Sequence, residues 1–228
     1  MTIELATKTT KHKSLGFYTT AEASRIAQVS LTTVNAWKRN GIIIPSVKWI
    51  DETNKEHLGH TFEVVVYLRL IRMLRQKGVT LHNSVIVVKR LKDRFGYPGK
   101  KWANASIFTD GQEVFVYDKN DPFKTTDVTK KHQRVAEEIL GDDFIKLRDR
   151  ADALLVPIMF MENVEIDPSI QNGLPIIRDT KILTSMVHYL VNQNYSSADI
   201  QDMYPFIPLN KILGAEEYEV FLDKASLN

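Results

Sequence analysis

Thr32, Thr33, Asn35, Lys38 and Arg39 crowd into one short stretch, and their chemistry suits contact with a nucleic acid. An Asn amide can make a bidentate pair with adenine, Thr offers a hydroxyl and a methyl, and Lys and Arg neutralise phosphates. The surrounding segment Tyr18–Pro45 (Y-T-T-A-E-A-S-R-I-A-Q-V-S-L-T-T-V-N-A-W-K-R-N-G-I-I-I-P) explains how those side chains would be presented. Thr19, Thr20 and Glu22 form a Thr-x-x-Glu cap, and Ala23, Ile26 and Ala27 put small apolar groups on one face, which predicts a first helix from Thr20 to Gln28. Val29 fills a turn and Ser30 caps a second helix. Its buried stripe is Val34 and Trp37, and it stops at Asn40-Gly41. The polar set is left facing outward, as in a helix-turn-helix.

The charge distribution agrees. Residues 1–101 hold 18 Lys and Arg against 7 Asp and Glu, and residues 102–228 hold 12 against 21, so a net charge of +2 conceals +11 and −9. A basic half attracts a polyanion, with an affinity that falls steeply with salt because counterions are displaced. The acidic half is expected to stay off DNA. With 228 residues and 43 % hydrophobic content the chain can build more than one small core, and no apolar run approaches a membrane span. There is no Cys, which excludes disulfides, thiolate metal sites and thiol sensing, and the N-terminus shows no signal-peptide core. The expected setting is a prokaryotic cytoplasm, in association with the nucleoid.

After Pro45, the residues Val47, Trp49 and Ile50, a polar loop, and then Thr61-Phe62 predict two short strands, a wing. A helix follows from Glu63 to Lys77 with Val64, Tyr67, Leu68, Ile71 and Leu74 at helical spacing, Gly78 ends it, and Leu81–Phe95 repeats the pattern with Val85, Val88 and Leu91. This ordering resembles the winged-helix DNA-binding domain of the MerR family of transcription regulators over about residues 17–95. The resemblance rests on the segment quoted above, on Thr61-Phe62 opening the third helix and on R-Q-K-G-V-T-L at its end. It implies that the second helix enters the major groove, with Thr32 on its outer face, Thr33 and Asn35 near bases, and Tyr18, Thr19, Lys38, Arg39 and the wing's Lys48 and His60 at phosphates. The chain departs from the family pattern in having Gln28 at the usual turn glycine and His60-Thr61-Phe62 in place of an arginine-aromatic pair.

From Gly96 onward the chain leaves that pattern. Residues 105–117 predict a β-hairpin turning at Asp110-Gly111, and Thr129–Ala153 a mostly helical stretch that is expected to serve dimerisation. The last third predicts a tight turn at Asn172-Gly173 and a three-helix unit. Its first helix would use Ile182, Met186, Tyr189 and Leu190 as a core face, its second is capped by Ser196-x-x-Asp199, and its third reaches about Leu222. The run D-P-x-I-x-N-G-x-P-I-I-R-x-T-K-I resembles a small trihelical antitoxin-type domain over about residues 164–222, with Asp179 where that family favours Gly. Joined to a MerR-like domain, it resembles a VapB-type antitoxin paired with a PIN-fold ribonuclease toxin. That resemblance implies a homodimer on operator DNA that autoregulates its operon as a repressor, and a toxin contact at Arg178, Glu216, Glu217, Glu219 and Asp223.

The expected fold is thus mainly α with small β elements. It comprises a flexible basic arm (1–16), a winged helix-turn-helix (17–96), a connecting hairpin and helices (97–160) and a three-helix domain (161–228). Catalysis is not expected, since no phosphate-binding glycine loop, His-Glu-x-x-His, G-x-S-x-G or Cys nucleophile is present. Asp142-Asp143 reads as a loop pair and Asp51, Glu52, Glu56 and His57 as a polar wing tip, so no metal or cofactor is assigned. His188 reads as a partly buried, hydrogen-bonded histidine. A stand-alone regulator responding to an effector is the alternative function, and a weakly selective architectural DNA protein a second.

Overall fold

The computed structural model describes residues 16–96 and 154–227, with the backbone of the strands between them. The chain enters through β1 (Phe17–Thr19) and α1 (Thr20–Ala27). Thr19 caps α1 in a reciprocal box: its hydroxyl accepts from the Glu22 amide, and the Glu22 carboxylate accepts from the Thr19 amide at 2.7 Å. Gln28 then turns the chain in a left-handed conformation (φ 58) into α2 (Leu31–Arg39), which Ser30 caps. Strands β2 (Val47–Ile50) and β3 (Glu56–Thr61) form the wing, and β1 adds to the other side of β3, giving the order β1-β3-β2. Two 15-residue helices follow, α3 (Phe62–Gln76) and α4 (Leu81–Phe95), the second capped by Thr80.

The apolar periodicity is satisfied as expected. Ala23, Ile26, Ala27, Val34 and Trp37 meet Val64, Tyr67, Leu68, Ile71 and Leu74 in one core, joined by Val85, Val88 and Leu91. Here α3 is buried around most of its circumference, because α1, α4 and β3 all pack against it.

In the middle segment the expected hairpin is present as β4 (Ala105–Thr109) paired antiparallel with β5 (Val114–Asp118), and β6 (Asp121–Asp127) extends it. Glu137–Glu138 form β7 against β4. These two residues were expected in a helix, and strand pairing to an open sheet edge prevails there. The rest of Thr129–Ala153, the Asp142-Asp143 pair and the basic arm before Gly16 lie outside the described residues.

The C-terminal lobe contains a short ribbon, β8 (Val164–Glu165) with β9 (Ile176–Ile177), then α5 (Thr184–Asn192), α6 (Ser197–Met203) and α7 (Leu209–Leu227). Ser196 and Asp199 form the expected box at α6. The expected core face of α5 needs correction: Met186 and Tyr189 are exposed, and Val187 and Thr184 face inward. The reason lies in the direction from which α7 packs. Ile212 and Ala215 pack with Val187, and Glu219 bonds Thr184, so α7 covers the Thr184–Val187 side, one residue round from the stripe that counting predicts. Two cores result. Ile177, Val187, Ile200, Ile207, Ile212 and Ala215 form the smaller one, and Tyr218 and Leu222 reach instead into the core of the N-terminal lobe.

Candidate nucleic-acid interface

Helix α2 carries the candidate base-reading residues. Thr32 and Arg39 are exposed, Asn35 and Lys38 are half-buried at its flank, and Val34 and Trp37 anchor the opposite face. Thr33 differs from expectation in one respect: its hydroxyl lies 2.8 Å from that of Ser30, so it helps hold the helix start. Thr19 likewise spends its hydroxyl on Glu22, in the cap of α1. Its remaining route to a phosphate is the α1 N-terminus, where acidic Glu22 sits, which disfavours an anion.

Two predicted phosphate contacts are corrected. Tyr18 is fully buried, and its hydroxyl donates to the Gly173 carbonyl at 2.7 Å, a contact 155 residues away that no local pattern could announce. His60 is also fully buried, on β3 between α1 and α2, with Nε2 3.4 Å from the Thr20 hydroxyl. Burial, reinforced by the nearby Lys38 charge, pulls its pKa down to about 4. A neutral, enclosed imidazole cannot hold a phosphate.

The wing itself is firmly built. Asp51 organises its tip by accepting from Thr53 N (2.9 Å), Thr53 Oγ1 (2.6 Å), Lys55 N (3.0 Å) and the His57 ring (2.7 Å), and these bonds hold its carboxyl well below the usual range. Trp49 stacks on His57 at 5.1 Å and meets Phe17 edge-on at 4.6 Å. The acidic wing residues therefore scaffold a turn, and no group of acidic, His or Cys residues among the described ones is arranged to hold a metal. Lys48 is exposed and pairs with Glu56 at 2.5 Å, so it reaches a phosphate only by exchanging that partner. Lys55, at the wing tip and exposed, was not singled out from the sequence, because a lone lysine in a mixed-charge loop carries no signal there.

Against the back of α1 the C-terminal lobe docks through charge. Arg25 Nη1 lies 2.6 Å from Glu219 Oε2 and its Nη2 2.7 Å from Asp223 Oδ1; Glu219 is almost wholly buried and also accepts from Thr184 Oγ1. Three of the residues expected to face a toxin also make contacts inside the chain. Glu219 is an internal ion partner, Asp223 serves both Arg25 and His188 (3.5 Å), and Glu216 accepts from His188 Nδ1 at 3.1 Å. Arg178 is turned inward too, donating to the carbonyls of Met161 and Val164. Glu217 is the one of the five that is classed as exposed. His188 is half-buried and hydrogen-bonded, as its sequence context suggested.

Residues 18–91 match the family model described as MerR HTH family regulatory protein. This segment is similar to a MerR-type helix-turn-helix domain. Residues 164–218 match a second model, described as a protein of unknown function, DUF433. Uncharacterized HTH-type transcriptional regulators Rv1830 and MT1879 of two Mycobacterium tuberculosis strains, and Mb1861 of Mycobacterium bovis, are 26 % identical over 98 residues, covering 43 % of this chain and 42 % of theirs. The chain thus spans about two fifths of the length of these curated relatives. The fold is similar to the crystal structure of Rv2018 from Mycobacterium tuberculosis, at a TM-score of 0.55 and 18 % identity, over 87 % of this chain and 96 % of that one. A MerR-type helix-turn-helix is a DNA-binding module and not a catalytic one. Among the described residues no helix is long and apolar enough to cross a membrane.

Proposed function

We propose that this protein is a sequence-specific DNA-binding transcription regulator that reads the major groove with α2 as a homodimer on a two-fold operator. The observation that carries this reading is the exposure of Thr32, Arg39 and the flank of Asn35 and Lys38 while the C-terminal lobe occupies the back of α1. The lobe and the DNA-facing surface do not compete. Asn35 and Thr32 supply base-edge contacts, Lys38, Arg39 and the wing's Lys48 and Lys55 supply phosphate contacts, and the dimer sets the spacing of half-sites. The test is titration of the full chain against the promoter DNA of its own gene at several salt concentrations. Binding that falls with salt and that exceeds binding to scrambled DNA supports the reading, and equal affinity for both sequences favours an architectural role.

A second reading, in which the protein is also the antitoxin of a PIN-like ribonuclease, gains support from one feature. Met186, Tyr189, Met203, Leu209 and Leu213 on the three C-terminal helices, and Phe206 between the last two, expose apolar surface, a pattern typical of a partner-binding lobe. Because Glu219 is buried and Arg178 is engaged with the Met161 and Val164 carbonyls, that contact would be mainly apolar, with Glu217 at its rim. Co-expression with the adjacent small reading frames tests it. A frame that is toxic alone and co-purifies with this protein supports the antitoxin reading, and the absence of any toxic or co-purifying frame leaves the regulator.

A further inference from the structure

Arg69 and Arg72 lie one turn apart on α3, each half-buried, and among the described residues neither meets a carboxylate. Arg69 donates only to neutral oxygens: Nε to the Leu154 carbonyl at 3.2 Å and Nη1 to Gln28 Oε1 at 2.5 Å. Burial and the like charge of Arg72 pull its pKa down to about 10. A guanidinium held this way is short of negative charge.

Among the described residues, two further donors at the same junction lack acceptors. Gln28 is buried, and because its Oε1 faces Arg69, its Nε2 is the end left without a partner. Tyr218 is fully buried with an unpartnered hydroxyl, and the charges of Arg69 and Arg25 both act on it. Burial and the adjacent Glu219 raise its pKa, so it remains a neutral O–H donor. Glu219 does not fill the vacancy, since Arg25 and Thr184 already take its oxygens. Arg69 and Arg72 are each partly exposed, at the edge of these buried donors.

We propose that this junction between the helix-turn-helix and the C-terminal lobe binds a small anion bearing a carboxylate or phosphate group, held by Arg69, Arg72, Gln28 Nε2 and the Tyr218 hydroxyl. The inference rests on the regulator reading, for which the anion is the effector. Gln28 is the left-handed residue of the turn between α1 and α2, where glycine would be unstrained, so its side chain supplies a donor at a conformational cost. An occupant there touches the turn that sets the angle of α2 and the helix α7 that clamps α1, and so couples the two lobes.

The experiment is a thermal-shift and calorimetric titration of the full chain with sodium phosphate and, separately, sodium acetate at constant ionic strength. A saturable response to at least one of them is expected. Tyr218→Phe, which removes only an unpartnered hydroxyl, retains or raises the anion-free Tm and needs at least about fivefold more anion; Arg72→Gln weakens binding similarly, and Arg39→Gln on α2 leaves it unchanged. Three results overturn the proposal: an unaltered response in Tyr218→Phe, a response abolished by Arg39→Gln alone, which places the anion on the DNA face, or no saturable response, which assigns the unpartnered atoms to water. DNA binding measured on the same samples separates the two failures. DNA binding without an anion response sinks only this inference, and an anion response without DNA binding sinks the regulator reading and leaves the site.

Discussion

Arg25→Met tests how firmly the two lobes are joined. The substitution keeps the aliphatic packing of α1 and removes the counter-charge of Glu219, whose side chain is 2 % exposed. Removing one partner of a buried pair costs about 3–5 kcal/mol, because the remaining charge stays desolvated. Arg25 is itself 28 % exposed, so water can partly replace it and the lower end, about 3 kcal/mol, applies. For a chain of this size that corresponds to a fall in Tm of roughly 6–12 °C. The double variant Arg25→Met with Glu219→Met removes the charge together with its partner. It leaves Thr184 hydrogen-bonded to the Pro175 carbonyl at 3.3 Å and Asp223 half-exposed to water. It is expected within about 1.5 kcal/mol of the parent. Urea denaturation followed by Trp fluorescence measures both. A single-variant loss below about 1 kcal/mol, or a double variant no more stable than the single, refutes the assignment of Glu219 as a buried charge held by Arg25.

Gly173→Ala is expected to cost about 2–4 kcal/mol by the same denaturation assay, through the left-handed backbone and the lost hydrogen bond. Its φ is +83 and a Cβ there would lie 2.1 Å from the Tyr18 hydroxyl; Tyr18→Phe, which loses only the bond, should cost less than half as much. His60 stays neutral in the folded chain down to about pH 4, whereas unfolded it takes a proton near its ordinary value of about 6.5. Stability is therefore lost as pH falls through that window, by about 2–3 kcal/mol, and His60→Gln should flatten the pH profile between pH 7 and 4. Arg39→Gln should lower the slope of log affinity against log salt by about 0.9 without changing base preference, read by anisotropy titration at four salt concentrations.

Much of the N-terminal lobe was legible because its signals are local. Caps at Thr19 and Ser30, the Val34–Trp37 stripe, the wing strands and the α3 and α4 periodicities each lie within a few residues of the structure they specify. The site residues were legible by type and only partly by exposure. Tyr18 and His60 look like phosphate ligands in sequence, yet they are paired across β1 and β3 and fully buried, Tyr18 bonded to Gly173 and His60 beside Thr20, contacts between segments far apart in the chain. Arg25 showed no sign of its partners Glu219 and Asp223, because ion pairs across almost two hundred residues leave no spacing to read. Met186 and Tyr189 misled for a different reason. Helical periodicity says which residues share a face, and the neighbour's position decides whether that face is covered. The departures from family pattern did carry information. Gln28 and Asp179, each at a place where relatives of its kind favour glycine, adopt φ of 58 and 64, the left-handed geometry that glycine serves.

The central claim is that α2 reads DNA in the major groove, and methylation interference at guanine N7 on the promoter of this gene addresses it most directly. The account predicts interference in two major-groove patches about one helical turn apart, and Asn35→Ala should weaken cognate binding by about 1–3 kcal/mol while leaving non-specific binding nearly unchanged. Specific binding that is indifferent to major-groove methylation, or that survives the combined loss of Thr32, Asn35 and Arg39 side chains, would contradict it.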